Sequence, residues 1–364
     1  MHKTAFVWDE QLTTYRFSEH HPLNPVRLAL TYQQIVTRGL LDGPDVEVIP
    51  PRPATDEELM LVHARDYIEA VKRAQPNLRY GLGTDDVPVV EGMHEAAANV
   101  VGATLAAAEQ VMSGRARRAF NMAGGLHHAH RAQASGFCIY NDLAVAIKYI
   151  QQRYGARVMY IDYDAHHGDG VQWIFYNDPE VLTVSYHESG AFLFPGTGFI
   201  DEIGEGEGHG YSVNVPLDAH TGDESFISVF NELVPALADA FNPDVIVLQN
   251  GCDAHFLDPL THLRCTTATF EAVVRTVCGI ADKHCQGRII ATGGGGYAIE
   301  EVVPRAWTLV WSLLRGVRIG DDIRDRPDLV PPLPDANHKE MNDKTMRGVR
   351  ARVLPLLTGW GLAF

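Results

Sequence analysis

Residues 161–170 read IDYDAHHGDG and bring Asp162, Asp164, His166, His167 and Asp169 together at the end of an apolar run. Carboxylates and imidazoles delivered to one rim cost free energy to desolvate unless they are paired or hold a metal. A capped turn, in which Asp and His bond loop amides, would account for one of each. It accounts poorly for so dense a group, and a metal centre is the chemistry expected. In an extended chain, side chains at i and i+2 share a face, so Asp162, Asp164 and His166 start on one side. Asp164 and His166 can then bind one ion. A catalytic zinc takes three protein ligands and keeps a position open, so a third must come from elsewhere.

The elements that position these groups read as alternating strands and helices. Strands are expected at Thr4 to Trp8, Arg118 to Asn121, Val158 to Tyr163, Val181 to Tyr186, Val245 to Gln249 and Arg288 to Thr292. Helical spacing and propensity appear at Glu95 to Met112, Asn141 to Arg153, Ser225 to Phe241 and Phe270 to His284. Such alternation predicts an α/β fold with a mostly parallel central β-sheet and helices on both faces. Ligands in such sheets bind beyond the carboxyl ends of the strands. The polar clusters follow that rule: NMAGGLHHAH (121–130), QNGCDAH (249–255) and GGGGY (293–297) each come after a strand.

Asp253 is the natural third ligand, giving an Asp/His/Asp set suited to Lewis-acid hydrolysis, although alone it reads equally well as a turn residue. His127 and His128 are acid/base candidates because imidazole titrates near neutrality. Asp162 and Asp169 are surplus carboxylates that could orient one imidazole each. Tyr297 follows glycines that allow close backbone approach, and its phenol could donate to an oxyanion. A phosphate-cradling loop is the competing reading of GGGG, but neither Gly-x-Gly-x-x-Gly nor GK[ST] is present there. His255 reads as a structural hydrogen-bonding group, and so does His167.

With 364 residues and no linker, charge block or internal repeat, a single catalytic domain spanning residues 1–364 is expected. The 30 basic and 46 acidic residues give a formal net charge of −16, which argues against a general nucleic-acid binder. An acidic surface instead attracts cationic partners such as lysine-rich peptides or polyamines. The five cysteines form no CxxC pair, which fits a reducing compartment and a cytoplasmic location. The N-terminus MHKTAFVWDE lacks a signal-peptide pattern, and no long apolar run suggests a membrane span.

Together GGLHHAH (124–130), GFCIYND (136–142), IDYDAHHGDGV (161–171), FPGTG (194–198), GCDAH (251–255) and GGGGY (293–297) resemble the zinc-dependent histone deacetylase superfamily, in order and over most of the chain. GGLHHA and HHGDGV resemble its class I branch, and the compact chain resembles its bacterial members. The resemblance implies an arginase/deacetylase-like fold and a metal-dependent amidohydrolase that removes acetyl groups from acetyl-lysine, releasing acetate. It implies Zn²⁺ on Asp164, His166 and Asp253, with Fe²⁺ the alternative in the cell. His127 paired with Asp162, and His128 paired with Asp169, match the electrostatic histidine and the general base. Tyr297 matches the carbonyl-polarising tyrosine. Phe137 and Phe194 match the walls of an acetyl-lysine tunnel, and Gly136 matches the residue whose carbonyl accepts the substrate amide. Asp86, with Asp85 as its rival, resembles a rim aspartate that grips substrate backbone, and Arg27 matches an arginine implicated in acetate handling. Structural K⁺ is implied at Asp162, Asp164, His166, Ser185 and Tyr186, and at Phe175, Asp178, Val181 and Tyr211. Acetylated proteins are the implied partners. Rival readings are an acetylpolyamine amidohydrolase, an arginase-like binuclear manganese hydrolase whose bridging ligands are not found, and an acetyl-lysine-binding scaffold with little activity.

Overall fold

The computed structural model describes residues 3–326, 328, 330, 332 and 337–358. Its strands are β1 (Thr4–Val7), β2 (Val46–Ile49), β3 (Arg118–Asn121), β4 (Val158–Asp162), β5 (Val181–Glu188), β6 (Ser212–Leu217), β7 (Val245–Gln249) and β8 (Ile289–Thr292). They form one eight-stranded sheet in the order β2-β1-β3-β8-β7-β4-β5-β6, and every neighbouring pair is parallel. The helices are α1 (Val26–Thr37), α2 (Asp56–Leu59), α3 (Arg65–Lys72), α4 (Met93–Met112), α5 (Asp142–Tyr154), α6 (Asp169–Ile174), α7 (Asp223–Phe241), α8 (Thr267–His284), α9 (Val303–Arg315) and α10 (Asn337–Leu357).

The composition of the central strands dictates this layering. In β4 (VMYID) and β7 (VIVLQ) every residue is buried. Successive side chains point to opposite faces, so both faces must be covered by helices. Alanine-rich α4 packs against β1, β3 and β8, and α9 against β3. At the far edge, α10 packs against α7 and β6.

The sequence-derived strands at 118–121 and 245–249 coincide with β3 and β7. Pairing in β4 stops at Asp162, so Tyr163 lies outside the ladder and the chain bends through Asp164–His166. The shared-face argument therefore reaches Asp162 but not the two residues beyond it. Asn141, expected inside a helix, caps α5 instead, its Oδ1 accepting from the Ala144 amide at 2.9 Å. β2 and β6 have no counterpart among the expected strands. The four strand ends expected to carry polar clusters belong to β3, β8, β7 and β4, which are consecutive neighbours in the sheet.

Candidate active site

The bend after β4 carries the acidic residues into the interior. Asp162 is fully buried, and its Oδ2 accepts from Tyr160 Oη at 2.5 Å and pairs with His127 Nδ1 at 2.7 Å. Asp164 Oδ2 accepts from Gln249 Nε2 at 2.8 Å and from the Gly295 amide at 2.7 Å. Asp253 Oδ1 accepts from the Ala165 amide at 2.8 Å. His166 Nδ1 lies 2.9 Å from Asp253 Oδ2 and 3.2 Å from Asp164 Oδ1. Side-chain donor atoms of Asp164, His166 and Asp253 all fall within 4.8 Å of one another, and all three residues are buried. The glycine run serves this approach, because a Cβ on Gly295 would meet Asp253 Oδ2 at 2.1 Å.

The loop after β3 brings in the histidines. Asn141 Nδ2 donates to the carbonyls of His127 (3.1 Å) and Ala129 (3.0 Å), and Asp142 Oδ1 accepts from the Leu126 amide at 2.8 Å. The start of α5 thus pins that loop over the sheet. His127 Nε2 and His128 Nε2 are 3.0 Å apart, and His128 Nδ1 lies 2.6 Å from Asp169 Oδ1. Asp169 Oδ2 also faces His130 Nε2 at 3.3 Å.

Adjacent in sequence, the two imidazoles differ in charge. Burial works against protonation of His127, but Asp162 and Asp164 outweigh it and raise its pKa to about 9. Burial, and then repulsion by His127, lower His128 to about 4 despite Asp169. The opposite shifts favour the imidazolium at His127 and the neutral base at His128 near neutral pH. Burial, then the Asp164 charge, push Asp253 up to about 7. Burial and neighbouring carboxylates hold the Tyr297 phenol well above 10, so it remains a donor.

Aromatic rings flank the cluster. Phe137 lies 5.8 Å from the Tyr297 ring, and Phe194, 46% exposed, lies 5.1 Å from His128 and 6.5 Å from His166. Gly136 has φ 53° and would place a Cβ 2.2 Å from His128 Cδ2, so this turn passes over the imidazole only as glycine. Its amide donates to Asp86 Oδ2 at 2.7 Å, whereas Asp85 is exposed. The Gly136 carbonyl already accepts a contact from Cys138 Sγ at 3.1 Å. A narrow cavity adjoining the site is lined by Leu23, Arg27, His128, Cys138 and Tyr297 among others. Arg27 lines the cavity, donates to the Gly296 carbonyl at 3.0 Å and lies 5.0 Å over Trp307.

Of the residues assigned to K⁺, Ser185 lies beside Asp162 in the β4–β5 register, and its Oγ contacts the Gly168 amide at 3.4 Å. Tyr186 buries its ring against Phe230. Around the second set, the Asp178 carboxylate is paired with Lys148 Nζ at 2.7 Å, and the same ammonium lies 4.9 Å from the Phe175 ring centroid. Val181 donates to the Asp178 carbonyl, and Tyr211 accepts from the Thr183 amide. Gln249, Asn141, Asp142 and Asp258 complete the site's framework and were not singled out from sequence. The places of Gln249 in QNGCD and of Asn141 and Asp142 in YND were the available signal, and Asp258 had none.

Residues 21–314 match the histone deacetylase domain. The chain belongs to the histone deacetylase family. It is 49% identical over 361 residues to the acetoin utilization protein AcuC of Bacillus subtilis (strain 168), covering 92% of this chain and 93% of that one. It is 45% identical over 320 residues to AcuC of Staphylococcus xylosus, covering 86% and 83%. The crystal structure of an HDAC homolog complexed with SAHA superposes with a TM-score of 0.83 at 31% identity, covering 96% of this chain and all of that one. The fold is therefore the arginase/deacetylase-like α/β fold, and the protein is an AcuC-like deacetylase, a hydrolase of acetylated substrates. Among the described residues no helix is long and apolar enough to cross a membrane.

In this deacetylase the Asp/His/Asp set fits a metal ion on its own chemistry. Two buried carboxylates converge on one point, and burial, then their mutual repulsion, raise Asp253. A cation removes that repulsion.

Proposed function

We propose that this deacetylase is a zinc-dependent lysine deacetylase that hydrolyses the acetyl amide of acetyl-lysine side chains in proteins and releases acetate. Asp164, His166 and Asp253 would hold the ion, which supplies Lewis acidity toward water and the acetyl carbonyl when bound. Neutral His128 takes the proton of the attacking water, and its Asp169 partner stabilises the charge it gains. Charged His127, held by Asp162, places positive potential beside the reacting carbonyl. The Tyr297 phenol donates to the developing oxyanion. His128 then returns its proton to the departing lysine amine. Phe137 and Phe194 flank the methylene stem, with the Gly136 carbonyl and Asp86 as partners for the substrate's amides. The observation that carries this reading is the pairing of two adjacent buried imidazoles with separate carboxylates, one at about 9 and one at about 4, beside a three-ligand set.

The reading takes residues 1–364 as one cytoplasmic catalytic domain that binds neither nucleic acid nor membrane. Structural K⁺ would sit at Asp162, Asp164, His166, Ser185 and Tyr186, where buried carboxylates supply the charge. At Phe175, Asp178, Val181 and Tyr211 it would rely on backbone carbonyls, since Lys148 already neutralises Asp178. The test is deacetylation of an acetyl-lysine peptide against acetylputrescine and acetylspermidine, with and without chelator. Tyr297→Phe should lose about 10²-fold or more in kcat while retaining zinc, on the scale of one oxyanion donor. Asp253→Ala should lose the metal. Preference for the polyamines would replace the lysine assignment, and full activity in Tyr297→Phe would remove the assigned oxyanion role.

A further inference from the structure

Asp258 is 7% exposed, and among the described residues no Lys, Arg or His side chain forms an ion pair with it. A buried carboxylate without a cation costs free energy unless its oxygens are otherwise satisfied. Backbone amides satisfy them here. Oδ2 accepts from the Tyr297 amide at 2.8 Å and Oδ1 from the Leu260 amide at 3.0 Å. The first bond joins segments 39 residues apart, the loop after β7 and the glycine run after β8, and the second closes a turn within the loop itself.

The same loop carries Asp253. Its turns are closed internally, by the Asp258 amide to the His255 carbonyl at 2.8 Å and by Thr261 Oγ1 to the Asp253 carbonyl at 2.5 Å. His255 Nε2 anchors it to Asp325 at 2.9 Å, and Asp325 is held in turn by Arg305 at 2.8 Å. Tyr297 follows a run of glycines, the least restrained backbone available, and needs an external restraint to keep its phenol in one place. Gly295, two positions earlier, is tied to Asp164, which leaves the tyrosine's own amide for Asp258.

We infer that Asp258 is a positioning residue that fixes the distance between the Tyr297 phenol and the Asp164/His166/Asp253 set by clamping the tyrosine's backbone to the loop that carries Asp253. The inference rests on the oxyanion role proposed for Tyr297. A misplacement of about 1 Å can cost about 10²-fold in rate, so Asp258→Ala should lower kcat by about that factor, with zinc content and KM unchanged. Asp258→Asn keeps the shape and one acceptor, so it should lose less and serves as the folding-safe variant. The deciding measurement is a double-mutant cycle. In the Tyr297→Phe background, replacing Asp258 should cost nothing further. Independent, multiplicative losses would overturn the inference while leaving the tyrosine's role intact, as would full kcat in a folded Asp258→Ala enzyme. Full activity in Tyr297→Phe alone would instead remove the reading on which it rests.

Discussion

His127 and His128 show how little residue type decides by itself. Each imidazole is buried and each has one carboxylate on Nδ1, yet they shift in opposite directions. The difference lies in the second neighbours: His127 also faces Asp164, and His128 faces the charge on His127. Removing that charge in His127→Ala should raise the His128 pKa from about 4 towards its ordinary value. The base proposed at His128 is active when neutral, so the acidic limb of kcat/KM should move to higher pH. A limb that stays in place, read from the pH–rate profile or from imidazole NMR titration, would contradict the pairing. HHxH and DxH patterns are legible in a sequence, but which imidazole carries the proton depends on distances between separate loops.

Among elements, the segment from Ser189 to Gly204 that carries Phe194 has no regular structure beyond turns, and a buried polar network holds it. His167 Nδ1 meets Thr197 Oγ1 at 2.9 Å, His187 Nε2 meets the Gly198 carbonyl at 2.9 Å, and Gln172 Nε2 donates to Glu202 at 2.8 Å. His167 thus ties this loop to the segment bearing His166. Thr197→Val should loosen the loop and raise KM for acetyl-lysine peptides about 2- to 10-fold, the worth of one hydrogen bond of about 0.5–1.5 kcal/mol. Steady-state kinetics check it, and kcat should fall less than KM rises. The same scale shows where sequence reading stops. β4 and β7 are continuous apolar runs and are legible as buried strands. β2 (VEVI) is half exposed with Glu47 in its middle, and β6 (SVNVPL) contains Asn214 and Pro216, so neither shows the buried-strand pattern. Pro304 in its first turn and Gly316 after its last mark α9, but alternation of strand and helix does not require it. Asp258 and Gln249 act through backbone amides and a carboxylate on other segments, contacts that no spacing encodes.

Over the whole molecule, the site exists because β3, β8, β7 and β4 are neighbours although their order in the chain is different. Each loop contributes groups that would repel or go unsatisfied alone, so the ion proposed at Asp164, His166 and Asp253 would be coupled to the fold. An ion bound by the native state alone, at about 100 times its Kd, adds about 2.7 kcal/mol to stability. Chelation should therefore lower Tm by a few degrees, and zinc should restore it. Asp253→Ala should abolish this zinc-dependent shift, and a chelator-insensitive Tm in the wild-type protein would contradict it. Calorimetry or a thermal melt provides the reading.

The histone deacetylase match ends at residue 314, whereas α10 begins at Asn337 and lies against β6, the last strand of the sheet. A terminal strand with one neighbour displays a row of free N–H and C=O groups, a template on which another chain can polymerise. Pro216 interrupts that row, and the helix crowds whatever would approach it. With Pro216 in the strand and α10 packed against it, β6 is a poor template for edge pairing.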